Sequence, residues 1–345
     1  MNTLAVLGKF YPMTKGHLEM IKHYAQKEEY DKVYVFVCYT IGETMPVDMR
    51  YSWVERATKD IPKVEVKYIL EQLGSSSDGR ESDYAVSKTW AKWLHKQYPE
   101  ITHFGGSEPY VKMMSDSIEI GCDLYDIDRN ITPISATMIR SDIHKHKNML
   151  AIPEIYDEYV FRVAVVGLDS CGKSTLVRWL SNQFDCEVVD EYGRSYCSIR
   201  TQPNDGKDEF LGMDGLEEIT YGHHKLVIAS VRNAWKKKKK LVIVDTEHYV
   251  TRGFAFRYFN SDNKYIKDAC NFQHYDGMIY CNLLPLEDDG TRRDVTPEER
   301  IAGDKQLWEM ITSNVKDSKI IRVPVDMETR KQMSVDFINS ILKGE

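Results

Sequence analysis

No run of apolar residues in this 345-residue chain reaches the roughly 18 needed to cross a bilayer, so a membrane-bound role is not expected. There is no Cys-x-x-Cys pair. The seven cysteines, an odd number, are scattered from Cys38 to Cys281 and read as reduced thiols, not as a disulfide framework or a zinc site. The start, MNTLAVLGKF, lacks the charged region and cleavage site of a secretory signal, and a cytoplasmic protein is expected. Positive charge is not in excess either. Lys and Arg number 46 against 53 Asp and Glu, and a formal charge of -7 disfavours general binding to DNA. Low complexity is confined to the five lysines at 236–240, read as a solvated helix C-terminus where cations suit the macrodipole. The Asn/Thr-Lys-x-Asp motif by which GTPases read their base is missing.

What is present suffices for two sizeable cores. The length is about twice that of one domain, and 42% hydrophobic with 29% charged residues is ordinary globular composition. Two segments read as first strands of α/β domains, TLAVLG at 3–8 and FRVAVVG at 161–167. Each ends in glycine and is followed by a polar loop and a helical pattern. The patterning predicts further strands at 32–39, 64–69, 101–104, 122–127, 187–189, 241–244, 277–281 and 319–323. Helices are predicted over 18–26, 48–59, 82–97, 215–239, 297–314 and 327–342. This alternation implies an α/β protein of two tandem doubly wound parallel-sheet domains. Pro153 and a charged, Tyr-rich stretch break the periodicity near 150–159. The expected domains are therefore 1–155 and 156–345.

GLDSCGKS at 167–174 fits G-x-x-x-x-G-K-[ST] with no deviation, after a strand and before a helix. Gly167, Asp169 and Gly172 belong to a loop whose backbone N–H groups wrap a β-phosphate, and Thr175 opens the helix whose positive end adds to it. Lys173 is expected to bridge the β- and γ-phosphates of ATP, and the Ser174 hydroxyl to hold Mg²⁺. Asp190 and Glu191 end the next strand and are candidates for orienting, or taking the proton from, an acceptor hydroxyl. Asp245 caps LVIV as a second Mg²⁺ carboxylate would. LEDDGTRR at 286–293 looks like a lid bringing Arg292 to the charge on the transferred group.

GKFYPMTKGH at 8–17 resembles the G-x-F-x-P-x-[HT]-x-G-H signature of nucleotidylyltransferases, with Thr14 at the position that takes His or Thr. Gly8, Lys9, Phe10 and Gly16 are expected to approach the nucleotide. Thr14 and His17 would hydrogen-bond its phosphates, His17 from a helix N-terminus. ISATMIR at 134–140 matches the I-S-x-T-x-[IL]-R partner motif, in which Ser135, Thr137 and Arg140 face the phosphates. Both motifs, together with GGSEPY at 105–110, EYGR at 191–194, GHH at 222–224, VDT at 244–246 and DDGTRR at 288–293, resemble one family. It is the bifunctional nicotinamide-nucleotide adenylyltransferase and ribosylnicotinamide kinase (NadR-like) family, and the resemblance spans nearly the whole chain.

The resemblance implies that the second domain phosphorylates nicotinamide riboside with ATP. The first would then join the resulting mononucleotide (NMN) to AMP from ATP, giving NAD and pyrophosphate, with Mg²⁺ in both. It implies Lys173, Ser174, Glu191, Asp245 and Arg292 for the kinase, and Lys9, Thr14, His17, Ser135, Thr137 and Arg140 for the adenylyltransferase. Trp90 is the candidate for stacking on nicotinamide in the first domain. In the second, Tyr192, Tyr196 and Phe254 stand as alternatives, as do Asp190 and Glu191 for the acceptor. Such enzymes often form homo-oligomers. Some members begin with a helix-turn-helix repressor domain; this sequence starts at the catalytic strand, so no DNA-binding role is expected. The alternative function is an NMN adenylyltransferase whose phosphate-loop domain is regulatory.

Overall fold

Thr3–Gly8 forms the central strand β1 of a parallel sheet, its first four residues buried. The computed structural model describes residues 1–69, 84–200, 212–284, 296–316 and 318–344. Two units emerge, one of Met1–Thr40 with Met45–Asp157, the other of Ile41–Thr44 with Glu158–Glu345. The 286–293 stretch, Arg292 included, lies outside the described residues.

In the first unit β1 is followed by α1 (Lys15–Gln26), β2 (Lys32–Val37), α2 (Val47–Thr58), β3 (Val64–Tyr68) and α3 (Tyr84–Gln97). Then come β4 (Ile101–Gly106), α4 (Tyr110–Ile118), β5 (Gly121–Leu124) and the short α5 (Ala136–Ser141), α6 (Ile143–His146) and α7 (Glu154–Asp157). The sheet order is β3-β2-β1-β4-β5, and every pair is parallel. The order reverses between β1 and β4, and their carboxyl ends open a crevice of the kind that binds nucleotides.

The second unit contains β6 (Phe161–Val166), α8 (Lys173–Ser181), β7 (Cys186–Val189), α9 (Tyr192–Arg200) and α10 (Met213–Lys236). After these come β8 (Leu241–Asp245), α11 (His248–Phe259), α12 (Lys264–Phe272), β9 (Gly277–Cys281), α13 (Pro297–Asn314), β10 (Lys319–Val323) and α14 (Met327–Lys343). Its parallel sheet runs β10-β9-β6-β8-β7. The three inner strands are buried at every position, which explains their continuous apolar runs, whereas the edge strands β7 and β10 are only partly covered. The fold class read from the sequence, two parallel-sheet α/β domains, is the one found.

Several helices were not legible beforehand. α11 buries His248, Tyr249, Val250, Thr251, Arg252 and Ala255 on more than one face, which erases the 3.6-residue stripe, and its cap is Glu247 rather than Ser or Asn. By contrast, α13 announces itself with Pro297 at the start and a reciprocal Thr296–Glu299 capping box. The lysines after α10 act as structure as well as solvated charge. Lys239 pairs with Asp185 and Glu187, and the Lys240 carbonyl accepts from Phe161.

One charged pair lies inside the second core. Arg162 of β6, fully buried, donates through Nε and Nη2 to Asp276 Oδ2 at 3.1 and 2.9 Å, just before β9. Burial alone would raise the Asp276 carboxyl, but the Arg162 guanidinium and His274 outweigh it and hold the carboxyl well below the usual range. Its stabilisation is therefore present above the ordinary carboxylate pKa of about 4 and lost as pH falls through the depressed folded value. Asp276→Asn should cost about 3 kcal/mol or more, because it strands a buried guanidinium. Urea unfolding of the full chain at pH 7 should show a lower midpoint, and the gap to wild type should shrink in strong acid.

Candidate active sites

In the first unit the loop after β1 folds back over the crevice. Gly8 is required there, since a Cβ would lie 2.9 Å from the Phe10 ring, and Phe10 itself sits at φ 47°. Thr14 caps α1 by accepting from the His17 N–H at 3.2 Å, while His17 Nδ1 accepts from the Thr14 N–H at 3.0 Å. This is a capping box with histidine in the place of Glu or Gln. Because Nδ1 accepts, the imidazole proton is assigned to Nε2, which makes that atom a neutral donor. Burial, and secondarily Arg129, lowers the His17 pKa to about 4.

The second motif meets this loop. Arg140 donates from Nη1 to the Tyr11 carbonyl at 2.7 Å and from Nη2 to Thr137 Oγ1 at 3.1 Å, with its guanidinium 5.0 Å from the Tyr11 ring centre. Ser135 caps α5 by accepting from the Met138 N–H. Gly16 packs beside Thr132, its notional Cβ 3.1 Å from that methyl. Also near the Tyr11 ring, 5.5 Å from its centre, lies Arg50, a fully buried residue of α2 that no motif marks. It donates to the carbonyls of Lys9 at 2.5 Å and Cys38 at 2.9 Å. Tyr110, from the GGSEPY segment, donates to the Leu7 carbonyl at 3.0 Å and ties the ends of β1 and β4 together. Trp90 is on α3, half-buried against the apolar core and edge-on to Trp93.

In the second unit Gly167 (φ 140°), Ser170 (φ 56°) and Gly172 (φ 85°) take the left-handed conformations that bend the phosphate loop. Lys173, nearly buried, donates to the carbonyls of Gly167 and Leu168 at 3.1 and 2.8 Å, and Thr175 is exposed on the first turn of α8. Arg330 of α14, fully buried, donates to the carbonyls of Cys171 (2.6 Å), Pro324 (2.7 Å) and Asn282 (3.2 Å).

Ser174, Asp245 and Glu191 converge on the loop. The Asp245 carboxyl is raised by burial, against a hydrogen bond from Ser174 and the charge of Lys173, and its Oδ1 is buried with no partner among the described residues. Arg194 joins Ser174 Oγ and Glu191 Oε2, at 3.3 Å each, whereas Asp190 is exposed. Thr246, directly after Asp245, has φ 77°, and His223 bonds its backbone carbonyl. Such strain, of order 1–3 kcal/mol, tends to sit at functional sites. Asp169 points elsewhere, toward Arg257 and Arg300.

Two cavities open in the second unit. One, of about 440 Å³, is lined by Tyr192, Tyr221 and Tyr265 and by Asp214, Glu217 and Glu218. Gly222, in mid-helix, makes room for the Tyr192 ring, because a Cβ there would lie 2.2 Å from it. The other, of about 540 Å³, has apolar walls of Leu283, Ile301 and Val325 with Asn282, Asp304 and Arg322 at its polar edge. It abuts the phosphate loop, since Arg330 bonds both Asn282 and Cys171.

Among the described residues no group of three or more His, Cys, Asp or Glu could hold a metal by itself, and no helix is long and apolar enough to cross a membrane. The geometry of His17 gives a direct expectation. Nitrogen-edited NMR should find its imidazole neutral, with the proton on Nε2, from pH 8 to pH 5, and protonating only near pH 4. Titration near 6.5, or a proton on Nδ1, would contradict the capping arrangement.

Residues 162–330 match the model of a family described as an AAA domain. The trifunctional NAD biosynthesis/regulator protein NadR of Salmonella typhimurium is 24% identical over 327 residues, covering 91% of this chain and 77% of that protein. The Escherichia coli protein of the same name is 23% identical over 358 residues, covering 98% and 82%. Among solved structures, a NadR protein in complex with NR covers 99% of this chain and 96% of its own at 20% identity, with a TM-score of 0.47. One in complex with NAD and AMP-PNP has a TM-score of 0.44 at the same identity and coverage. The homologues of this chain are thus NadR proteins, alike along most of its length.

Proposed function

We propose that this chain makes NAD from nicotinamide riboside in two steps, one in each unit. In the second unit the riboside 5′-hydroxyl takes the γ-phosphoryl group of ATP, giving NMN, ADP and a proton. In the first, the NMN phosphate attacks the α-phosphorus of another ATP, forming NAD and expelling pyrophosphate. The observation that carries this reading is a cavity of three tyrosines and three carboxylates, one wall of which is Tyr192 of α9, the helix whose Arg194 reaches Ser174 of the phosphate loop. Nicotinamide riboside is a flat cation on a polyhydroxyl sugar. Aromatic faces attract such a ring, and carboxylates accept hydrogen bonds from the sugar. The name of the relatives, NAD biosynthesis/regulator protein, points the same way.

Roles follow from placement. Glu191, linked through Arg194 to Ser174, is assigned the acceptor proton in preference to exposed Asp190. Lys173 and the loop amides hold the phosphates, and the apolar-walled cavity near Asn282 takes the adenine ring. Ser174 and Asp245 fit Mg²⁺, because Asp245 Oδ1 is buried without a protein partner and Ser174 already bonds that carboxyl. When bound there, the ion supplies positive charge to the β- and γ-phosphates.

In the first unit the N-terminus of α1, His17 Nε2–H, Lys9 and Arg140 surround the triphosphate. No general base is needed, because the attacking phosphate is already ionised. Positioning and charge neutralisation do the chemistry.

Purified protein with Mg²⁺-ATP and nicotinamide riboside should form NMN and ADP first, then NAD and pyrophosphate, followed by mass spectrometry. Lys173→Ala should abolish NMN formation yet still convert added NMN to NAD, and Arg140→Ala should slow the second step by roughly a hundredfold or more. Retained riboside phosphorylation in Lys173→Ala would remove the kinase assignment. Gly222→Ala, which displaces the Tyr192 ring, should raise KM for riboside by about tenfold with KM for ATP unchanged. An unchanged riboside KM would place the substrate elsewhere.

A further inference from the structure

The Asp169 side chain, though part of the phosphate loop, is turned toward two helices. Arg257, in the last turn of α11, approaches Asp169 Oδ1 through Nη1 at 3.4 Å. Arg300, near the start of α13, lies 3.5 Å from Asp169 Oδ2 through Nη1 and donates from Nη2 to the Asp169 carbonyl at 3.2 Å. Both arginine side chains are largely shielded, 18% and 11% exposed. Positions 169, 257 and 300 thus bring one carboxylate and two guanidiniums to the rim of the loop, a local charge of +1.

Two features distinguish this cluster from a structural ion pair. The contacts are long, against about 2.7–2.9 Å for a tight charge-assisted bond, and neither arginine makes the two-pronged fork with Asp169. Arg252, on the same helix as Arg257, shows the contrast, gripping Asp262 through Nε and Nη2 at 2.8 and 3.0 Å. Each guanidinium carries five N–H donors, and Asp169 engages few of them. A loosely held, partly desolvated pair of guanidiniums beside a phosphate loop suits an anion that arrives with the nucleotide.

We propose that Arg257 and Arg300 bind the terminal phosphoryl group of ATP, and that Asp169 is the positioning residue that holds them at the loop. This rests on the reading of the second unit as an ATP-dependent phosphotransferase, and it adds two cations that no sequence motif marks.

The test is binding of ADP and of the β,γ-imido analogue of ATP to the full chain, by calorimetry, alongside riboside phosphorylation. Arg257→Gln and Arg300→Gln should each weaken the ATP analogue by roughly tenfold or more while leaving ADP within about twofold. Arg257→Lys and Arg300→Lys, which keep the charge, should recover part of the loss. Asp169→Asn should lower kcat for phosphorylation without weakening the ATP analogue, since it removes a negative charge but also the anchor. Equal loss of ATP analogue and ADP in both the Gln and Lys variants, or no loss of either, overturns the proposal. Failure of the functional reading looks different: wild type would leave riboside untouched while the arginine-dependent preference for the ATP analogue persists.

Discussion

Arg50 and Arg330 are both without solvent exposure, and each donates to backbone carbonyls of a loop that follows a first strand. A guanidinium in that position has a directional consequence. By drawing carbonyls inward it leaves the amide N–H groups of the same loop free to face outward, as an anion-binding concavity requires. In the first unit Arg50 holds the carbonyls of Lys9 and Cys38 and lies 5.5 Å from the Tyr11 ring centre, as Arg140 does at 5.0 Å. In the second, Arg330 joins the phosphate loop to the ends of β9 and β10. Burying such a charge is costly, and the carbonyl acceptors offset part of that cost.

The two loops are shaped by different means. The second unit uses backbone torsion, with left-handed residues at 167, 170 and 172, a lysine at the centre and the strained Thr246 beside Asp245. The first uses a helix start, where a neutral histidine completes a capping box through one ring nitrogen and leaves a donor N–H on the other. A neutral donor there costs no proton exchange over the physiological range. The remaining charge rests on arginine, whose state does not vary with pH.

Much of the fold was legible because parallel strands buried on both faces must be continuous apolar runs, as β6, β8 and β9 are. Helices with good caps, such as α13, were equally plain. α11 escaped because tertiary burial on several faces removes the amphipathic stripe, and a short strongly amphipathic helix such as α12 escaped beneath the turn-like residues around Asn263. For the candidate sites, the phosphate loop and the GKFYPMTKGH loop were visible because their chemistry is local, spelled out by consecutive residues. The tyrosine–carboxylate cavity, drawn from α9, α10 and α12, has no such spelling.

The sequence alone determined where backbone must bend and where a helix must begin: glycines, Thr14 and the lysine–serine pair act through torsion and hydrogen bonds within a few residues. Tertiary structure alone decided which distant side chains reach those bends. Arg50 under one loop, Arg330 under the other, Arg194 between Ser174 and Glu191, and Arg257 with Arg300 on Asp169 are isolated arginines in the sequence. A guanidinium can serve any carbonyl or carboxylate within reach, so its partner is set by how sheets and helices pack rather than by its neighbours in the chain.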